Sequence, residues 1–185
     1  MKDQHTTPNG APLDPIAEAT RRQRASPIRQ PVAVVGPSEA TAAQCVAAQA
    51  VGRGIASMGM ALVCGGRAGV MEAACRGAAE AGGVAIGVLP GGDAQAANRY
   101  ASVVLATGIG EARNAVIARA ALCIVAIGDN FGTLSEVALG RQFGKRVIGL
   151  EGAAQVDGVV QVDSPAAALE EVARCVLAAH GESGP

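Results

Sequence analysis

From Pro31 onward the chain alternates between two patterns of apolar positions. Short aliphatic runs, mostly β-branched, end in glycine or proline, and longer alanine-rich stretches lie between them. The runs lack the every-other-residue polarity of a strand with one wet face, so each reads as a parallel strand covered on both sides. This places strands at Val32–Val35, Ala61–Cys64, Val84–Leu89, Val103–Leu105, Leu122–Ile127, Val147–Leu150 and Val159–Val162. The alanine-rich stretches predict helices at Thr41–Met58, Val70–Ala81, Ala112–Ala120, Thr133–Phe143 and Pro165–Ala179. Strands and helices in strict alternation predict an α/β fold, a Rossmann-like, doubly wound, mostly parallel seven-stranded sheet with helices on both faces. Residues 31–181 form that single ligand-binding domain. Residues 1–30, with four prolines and the arginines Arg21, Arg22, Arg24 and Arg29, show no sustained apolar period and read as a disordered N-terminal tail.

Composition narrows the function. Fifteen basic against sixteen acidic residues give a net charge of -1, so the chain has no electrostatic excess with which to hold a nucleic-acid backbone or an anionic membrane. An anionic partner must be gripped locally. No apolar run approaches the ~20 residues that span a bilayer. The five cysteines, Cys45, Cys64, Cys75, Cys123 and Cys175, occur singly, which fits buried free thiols and a cytoplasmic protein. His5 and His180 lie near the two ends, leaving little material for a histidine metal site, and no bound metal is expected.

Glycine, 25 of 185 residues, is concentrated where strands end. In a doubly wound sheet the loops leaving the carboxyl ends of the strands converge on one crevice. Here those exits are Gly36-Pro37, Gly65-Gly66, Pro90-Gly91-Gly92, Gly108-Ile109-Gly110 and Gly128-Asp129-Asn130-Phe131-Gly132. Three of them run into helices. After Cys64, the segment Gly65-Gly66-Arg67-Ala68-Gly69 offers backbone amides and a helix start to a phosphate or carboxylate. In Gly108-Ile109-Gly110-Glu111-Ala112-Arg113-Asn114, a guanidinium stands in the first turn of a helix, where the macrodipole opposes it; either a bound anion or a carboxylate such as Glu111 must compensate. In Gly132-Thr133-Leu134-Ser135-Glu136, Thr133 offers a hydroxyl and an amide, and Glu136 is either a dipole partner or, facing Arg113, an acid-base or cation-stabilising group. Phe131 is placed either to stack on a heterocycle or to anchor its loop in the core.

Residue supply removes other chemistries. The P-loop spacing is absent, since Gly140 to Lys145 does not carry it, and Arg113 stands where a dinucleotide fingerprint needs its third glycine. Lys2 and Lys145 are the only lysines, and neither position suits Schiff-base chemistry with pyridoxal phosphate.

Together, Gly65-Gly66-Arg67-Ala68-Gly69-Val70-Met71-Glu72, the Gly82-Gly83 turn leading to Gly87-Val88-Leu89-Pro90, Ala97-Asn98-Arg99-Tyr100, Thr107-Gly108-Ile109-Gly110-Glu111-Ala112-Arg113-Asn114 and Gly132-Thr133-Leu134-Ser135-Glu136 resemble the Lonely Guy superfamily, long labelled lysine decarboxylase-like. Within it they look most like the branch of molybdenum cofactor carrier proteins, over about Val32 to Leu150. The resemblance implies a Rossmann-like homodimer that binds a nucleotide-like phosphate ligand at the strand exits. In the enzymatic members an arginine and a glutamate serve cleavage of a base from a nucleoside 5'-monophosphate, and Arg113 and Glu136 match those positions. Two departures weaken the hydrolase reading: Asn114 replaces a lysine, and Ile127-Gly128-Asp129-Asn130 lies where a Pro-Gly-Gly entrance is usual. An Asp129 carboxylate ~5 Å from a phosphate would repel it by roughly 3 kcal/mol at an effective dielectric near 20.

The leading expectation is therefore a carrier-like protein for a small phosphorylated heterocycle, a nucleoside 5'-monophosphate or a molybdopterin-type cofactor. No cofactor is required; the molybdenum cofactor enters only as a carried ligand. Gly65, Gly66, Gly108, Gly132 and Thr133 would supply amides, Arg113 would clamp the anion, and Asn98 and Asn114 would orient the ligand, with Gly36, Asn130 and Phe131 completing the site. The alternative is a phosphoribohydrolase in which Arg113 and Glu136 are catalytic. A scaffold with an inherited, empty pocket is the third.

Overall fold

The computed structural model describes residues 14–182. Seven strands, β1 (Val32–Val35), β2 (Leu62–Cys64), β3 (Ala85–Leu89), β4 (Val103–Ala106), β5 (Cys123–Ile127), β6 (Arg146–Leu150) and β7 (Val159–Gln161), form one sheet. Every pairing is parallel, and the order is β4-β3-β2-β1-β5-β6-β7. The expected Rossmann-like α/β architecture is present. Among the described residues six α-helices flank the sheet: α1 (Pro15–Ala25), α2 (Ala42–Ser57), α3 (Val70–Glu80), α4 (Arg113–Ala120), α5 (Phe131–Gln142) and α6 (Pro165–Glu182).

Burial on both faces explains why the strand runs show no polar alternation. In β1, Val32 and Val34 point into the core shared with α2, α3 and α6, while Ala33 and Val35 enter the second core with α4 and α5. Aromatic filler is nearly absent, and close backbone approach replaces it. A Cβ on Gly52 of α2 would stand 2.1 Å from the Ala74 carbonyl oxygen of α3, and one on Gly77 of α3 would stand 2.0 Å from the Gln49 carbonyl oxygen of α2. Glycine at these two positions lets the helices touch along their backbones.

The expectation of disorder over residues 1–30 fails for Pro15–Ala25. This segment is a helix, started by Asp14, whose side chain accepts from the Ile16 N–H at 3.0 Å, and by proline in the first turn. It lies against α6 with Ala19 and Gln23 buried. Gln23 fills a core-facing position with an amide that accepts from the Ile28 N–H and donates to the Ile28 carbonyl. On the solvent side, hydrogen bonds from Arg21 and then Arg22 draw the Glu18 carboxyl down to about 2. Residues 1–13 of the expected tail lie outside the described residues.

The chain reverses its direction of sheet growth at β1: β2, β3 and β4 extend to one side, and β5, β6 and β7 to the other. The carboxyl ends of β1 and β5 therefore open a crevice with no crossover helix between them, the place where such sheets bind ligands. Among the described residues, no helix is long and apolar enough to cross a membrane.

Candidate functional site

At this reversal point lies a cavity of about 100 Å3, walled by Gly36 and Ser38 after β1, Arg67 and Met71 around the start of α3, Glu111, Arg113 and Asn114 at the start of α4, and Asn130, Gly132, Thr133 and Glu136 of α5 and its cap. Segments from four of the five expected exits converge here, while Pro90-Gly91-Gly92 does not line this cavity. Gly36 admits no side chain: a Cβ there would stand 2.5 Å from the Ile127 carbonyl oxygen and 2.6 Å from Val70 Cγ1.

Arg113 and Glu136 face each other within this cavity, Nη1 to Oε1 at 3.5 Å, both side chains more than nine-tenths buried. The arginine is the first residue of α4, the end at which the helix dipole disfavours a cation. Its guanidinium lies across Gly65, where a Cβ would stand 2.3 Å from Nη1 and 2.7 Å from Nη2. Glycine at position 65 thus makes room for the cation itself. Arg113 Nε and Nη1 are buried and have no hydrogen-bond partner. Such donors normally find one, because each left unmatched costs about 1–3 kcal/mol or more when charged.

The carboxyl of Glu136 is perturbed to match. Burial pushes its pKa up, the Arg113 charge restrains the rise, and the Glu111 carboxylate adds to it, leaving the group at about 7. Glu136 therefore holds a proton for much of the time near neutrality. A buried cation with vacant donors thus stands beside a carboxyl that burial readily neutralises.

The predicted residues divide into three groups. Gly36, Arg113, Asn114, Asn130, Gly132, Thr133 and Glu136 line the cavity, and Gly65 underlies the guanidinium. Asn114 donates to Ser135 Oγ at 2.8 Å, and its buried Oδ1 is without a partner. Thr133 is present but its donors are occupied: Asn130 Oδ1 accepts both the Thr133 N–H, at 2.8 Å, and the Thr133 hydroxyl, at 3.0 Å. Asn130 is thus the cap of α5, and the expectation that Thr133 supplies a free amide is corrected.

Asn98, Gly66, Gly108 and Phe131 do not line the cavity. Asn98 is a brace: its side-chain N–H donates to the Arg67 carbonyl at 3.1 Å, its Oδ1 accepts from Tyr100 N–H, and its own N–H donates to the Gly66 carbonyl. The Gly66 amide donates to Cys64 Sγ at 3.3 Å and is occupied as well. Gly108 sits in an exposed turn, with its N–H on the Gly91 carbonyl. Because the Asn130 cap starts α5 two residues earlier than expected, Phe131 falls in its first turn and is 93% exposed. It anchors nothing in the core. Asp129 is exposed too.

Sequence reasoning did not place Ser38 or Met71 in this cavity. Ser38 directly follows an exit that had been singled out, so the signal was there; Met71 reads from sequence only as a core residue of α3. Arg67 lies on the cavity rim and also on that of a second hollow of about 330 Å3, lined by Leu89, Pro90, Gly91, Gly92, Asp93 and Ala96. The long segment after β3 thus forms the neighbouring part of the same edge.

Residues 29–179 match the SLOG cluster4 family. The chain belongs to that family. The match starts just after α1 and spans the whole sheet, so the Lonely Guy-like resemblance extends beyond the motifs that first suggested it. Among solved structures, the family member is similar to the molybdenum cofactor binding protein of the phototrophic bacterium Rippkaea orientalis, with 32% identity, a TM-score of 0.76 and coverage of 80% of this chain and 99% of that one. The molybdenum cofactor carrier protein of Chlamydomonas reinhardtii gives 33% identity and a TM-score of 0.73 over 80% of this chain and 99% of that one. An uncharacterized protein of Archaeoglobus fulgidus is 33% identical over 138 residues, 75% of this chain and 91% of the relative.

Proposed function

We propose that this protein binds and carries a small phosphorylated heterocycle, with the anionic group against Arg113 and the ring toward the adjoining hollow. The observation that carries the reading is the buried guanidinium at the sheet's reversal point, two of whose nitrogens make no hydrogen bond. A cavity of about 100 Å3 suits a phosphate-sized group but not a whole nucleotide. The hollow of about 330 Å3 that shares Arg67 has room for a ring, and its lining of Leu89, Pro90 and Ala96 suits a flat apolar face. A molybdopterin-type cofactor and a nucleoside 5'-monophosphate both have this composition of anion plus heterocycle. The names of the Rippkaea and Chlamydomonas proteins favour the first as cargo.

Binding begins with desolvation of the anion in the cavity, where Arg113 supplies the charge-assisted hydrogen bonds that the folded protein leaves unmade. Asn114 Oδ1, buried and free, accepts from a donor on the ligand. Glu136, neutral when protonated, does not repel the incoming charge. Mass spectrometry of small molecules released from natively purified protein tests the assignment: a phosphorylated pterin or nucleotide supports it, and a protein that neither retains nor binds one overturns it.

One observation favours a second reading, hydrolysis of a nucleoside 5'-monophosphate. Glu136, at about 7 and opposite Arg113, has the proton affinity of a general acid-base group. Release of free base from a panel of monophosphates, lost in Glu136→Ala, would establish it. Homo-oligomerisation through the β4 edge is supported by Val103 and Leu105, which are exposed there; sedimentation tests it. The free thiols fit a cytoplasmic location.

A further inference from the structure

Cys64 and Cys75 are both buried, and their sulfurs lie 3.4 Å apart, bringing the last residue of β2 against the middle of α3. Each sulfur also accepts a hydrogen bond, one from the loop beside the cavity and one from the asparagine that braces that loop. Cys64 Sγ takes the Gly66 N–H, and Cys75 Sγ takes the Asn98 side-chain N–H at 3.7 Å. Asn98 in turn holds the Arg67 carbonyl, and Gly65, next to Cys64, is the surface on which the Arg113 guanidinium lies. The two thiols therefore sit directly beneath the wall of the anion cavity.

We propose that Cys64 and Cys75 are a redox-active dithiol that closes to a disulfide under peroxide and thereby reshapes the Gly65–Arg67 wall of the cavity. The Cys75 thiolate attacks one peroxide oxygen, the O–O bond breaks and a sulfenic acid forms, while the other oxygen leaves as hydroxide and takes up the proton that Cys75 released, giving water. The Cys64 sulfur then displaces the second oxygen as water. The two sulfurs together give up two electrons and two hydrogens, and one peroxide becomes two waters. Local interactions favour this order. The hydrogen bond from Cys64, helped by Asn98, lowers the Cys75 thiol against the opposing effect of burial, whereas the shared hydrogen and burial push Cys64 up. The thiolate is the attacking form.

Closure has a structural consequence. The sulfurs must approach by roughly 1.4 Å to reach a disulfide bond length of about 2 Å. Cys64 Sγ then leaves the Gly66 N–H, and Cys75 Sγ leaves Asn98, so one bond within the Gly65–Arg67 loop and one on the asparagine that braces it are lost together. Cys123 and Cys175 also touch through their thiols, but they join β5 to α6 and hold no residue of this loop.

The site is tested on the full chain with hydrogen peroxide, followed by alkylation in denaturant and peptide mapping. The expected product has lost two hydrogens, carries one Cys64–Cys75 cross-linked peptide, and returns to the dithiol with dithiothreitol. Cys75→Ser should abolish that peptide, and Cys123→Ser should leave it in place. Amide exchange at Gly66 should quicken on oxidation of the wild type and of Cys123→Ser, but not of Cys75→Ser. A Cys64 and Cys75 that both remain fully alkylated after peroxide, or a disulfide found only between Cys123 and Cys175, would overturn the assignment. Formation of the disulfide with unchanged exchange at Gly66 would overturn its coupling to the cavity. Neither readout uses a ligand, so the dithiol stands or falls separately from the carrier reading.

Discussion

Two arginine–glutamate pairs, equally short of solvent on the glutamate side, have opposite chemistry. Glu171 of α6 is 7% exposed and Glu136 of α5 is 6% exposed. Burial pushes the Glu171 carboxyl up, yet the hydrogen bond and charge of Arg146, joined by Arg174, bring it below its ordinary value. Glu136 has Arg113 at 3.5 Å, with no hydrogen bond between them, and burial wins. The first pair is saturated and structural, with Arg146 half exposed at its edge. The second is unfinished: a buried cation with vacant donors, across from a carboxyl near neutrality. Burial and residue type are alike in the two pairs; the satisfaction of their hydrogen bonds is what differs.

The sharpest way to break the comparison is pH. A carboxyl raised in the fold lets the native state hold the proton more tightly, so stability falls as pH rises from about 4.5 to about 7. The swing is on the order of 3 kcal/mol by linkage. Glu136→Gln should flatten the melting temperature across that window. Glu171, whose carboxyl is lowered, should behave oppositely: its contribution is present above the ordinary carboxylate range and is lost as pH falls through its depressed value. Melting curves of the two glutamine variants against pH check both signs.

Next in size is the loss of the cation. Arg113→Ala should weaken binding of a phosphorylated ligand by about 1.5–3 kcal/mol, roughly 10- to 150-fold, by calorimetry. It should also push Glu136 further up, because the charge that restrains it is gone. Gly65→Ala should cost about 1–3 kcal/mol through overpacking and displace the guanidinium, weakening binding with Arg113 still present; denaturant melts and calorimetry on the same variant separate the two effects. Smallest is Arg146→Ala, a partly exposed pair worth roughly 0.5–1 kcal/mol of stability, which should leave ligand binding unchanged.

The seven strands were legible because burial on both faces leaves an uninterrupted aliphatic run, and their observed limits differ from the expected ones by a residue or so. Helix α1 was not, since it buries Ala19 and Gln23 with Ile16 only partly covered beside them, and a glutamine at a core position breaks the apolar period. Of the pair, Arg113 was legible because it stands at a helix start against the dipole, and Glu136 because it follows a glycine-rich strand exit, although α5 begins earlier than expected and places it beyond the first turn. The misreadings were of polar residues with two possible partners. Asn130 and Thr133 serve each other, and Asn98 serves the Arg67 carbonyl, 31 positions away. Sequence displays the donors; only packing decides which acceptor reaches them.

If the unfinished pair is a ligand site, the Arg113 cavity completes its hydrogen bonding with an external anion. Isothermal titration of inorganic phosphate near neutral pH, into wild type and Arg113→Ala side by side, tests this most directly. Saturable binding to the wild type at one site per chain, lost in the variant while both proteins melt cooperatively, is the predicted result. Equal heats from both proteins, or none from either, would contradict it.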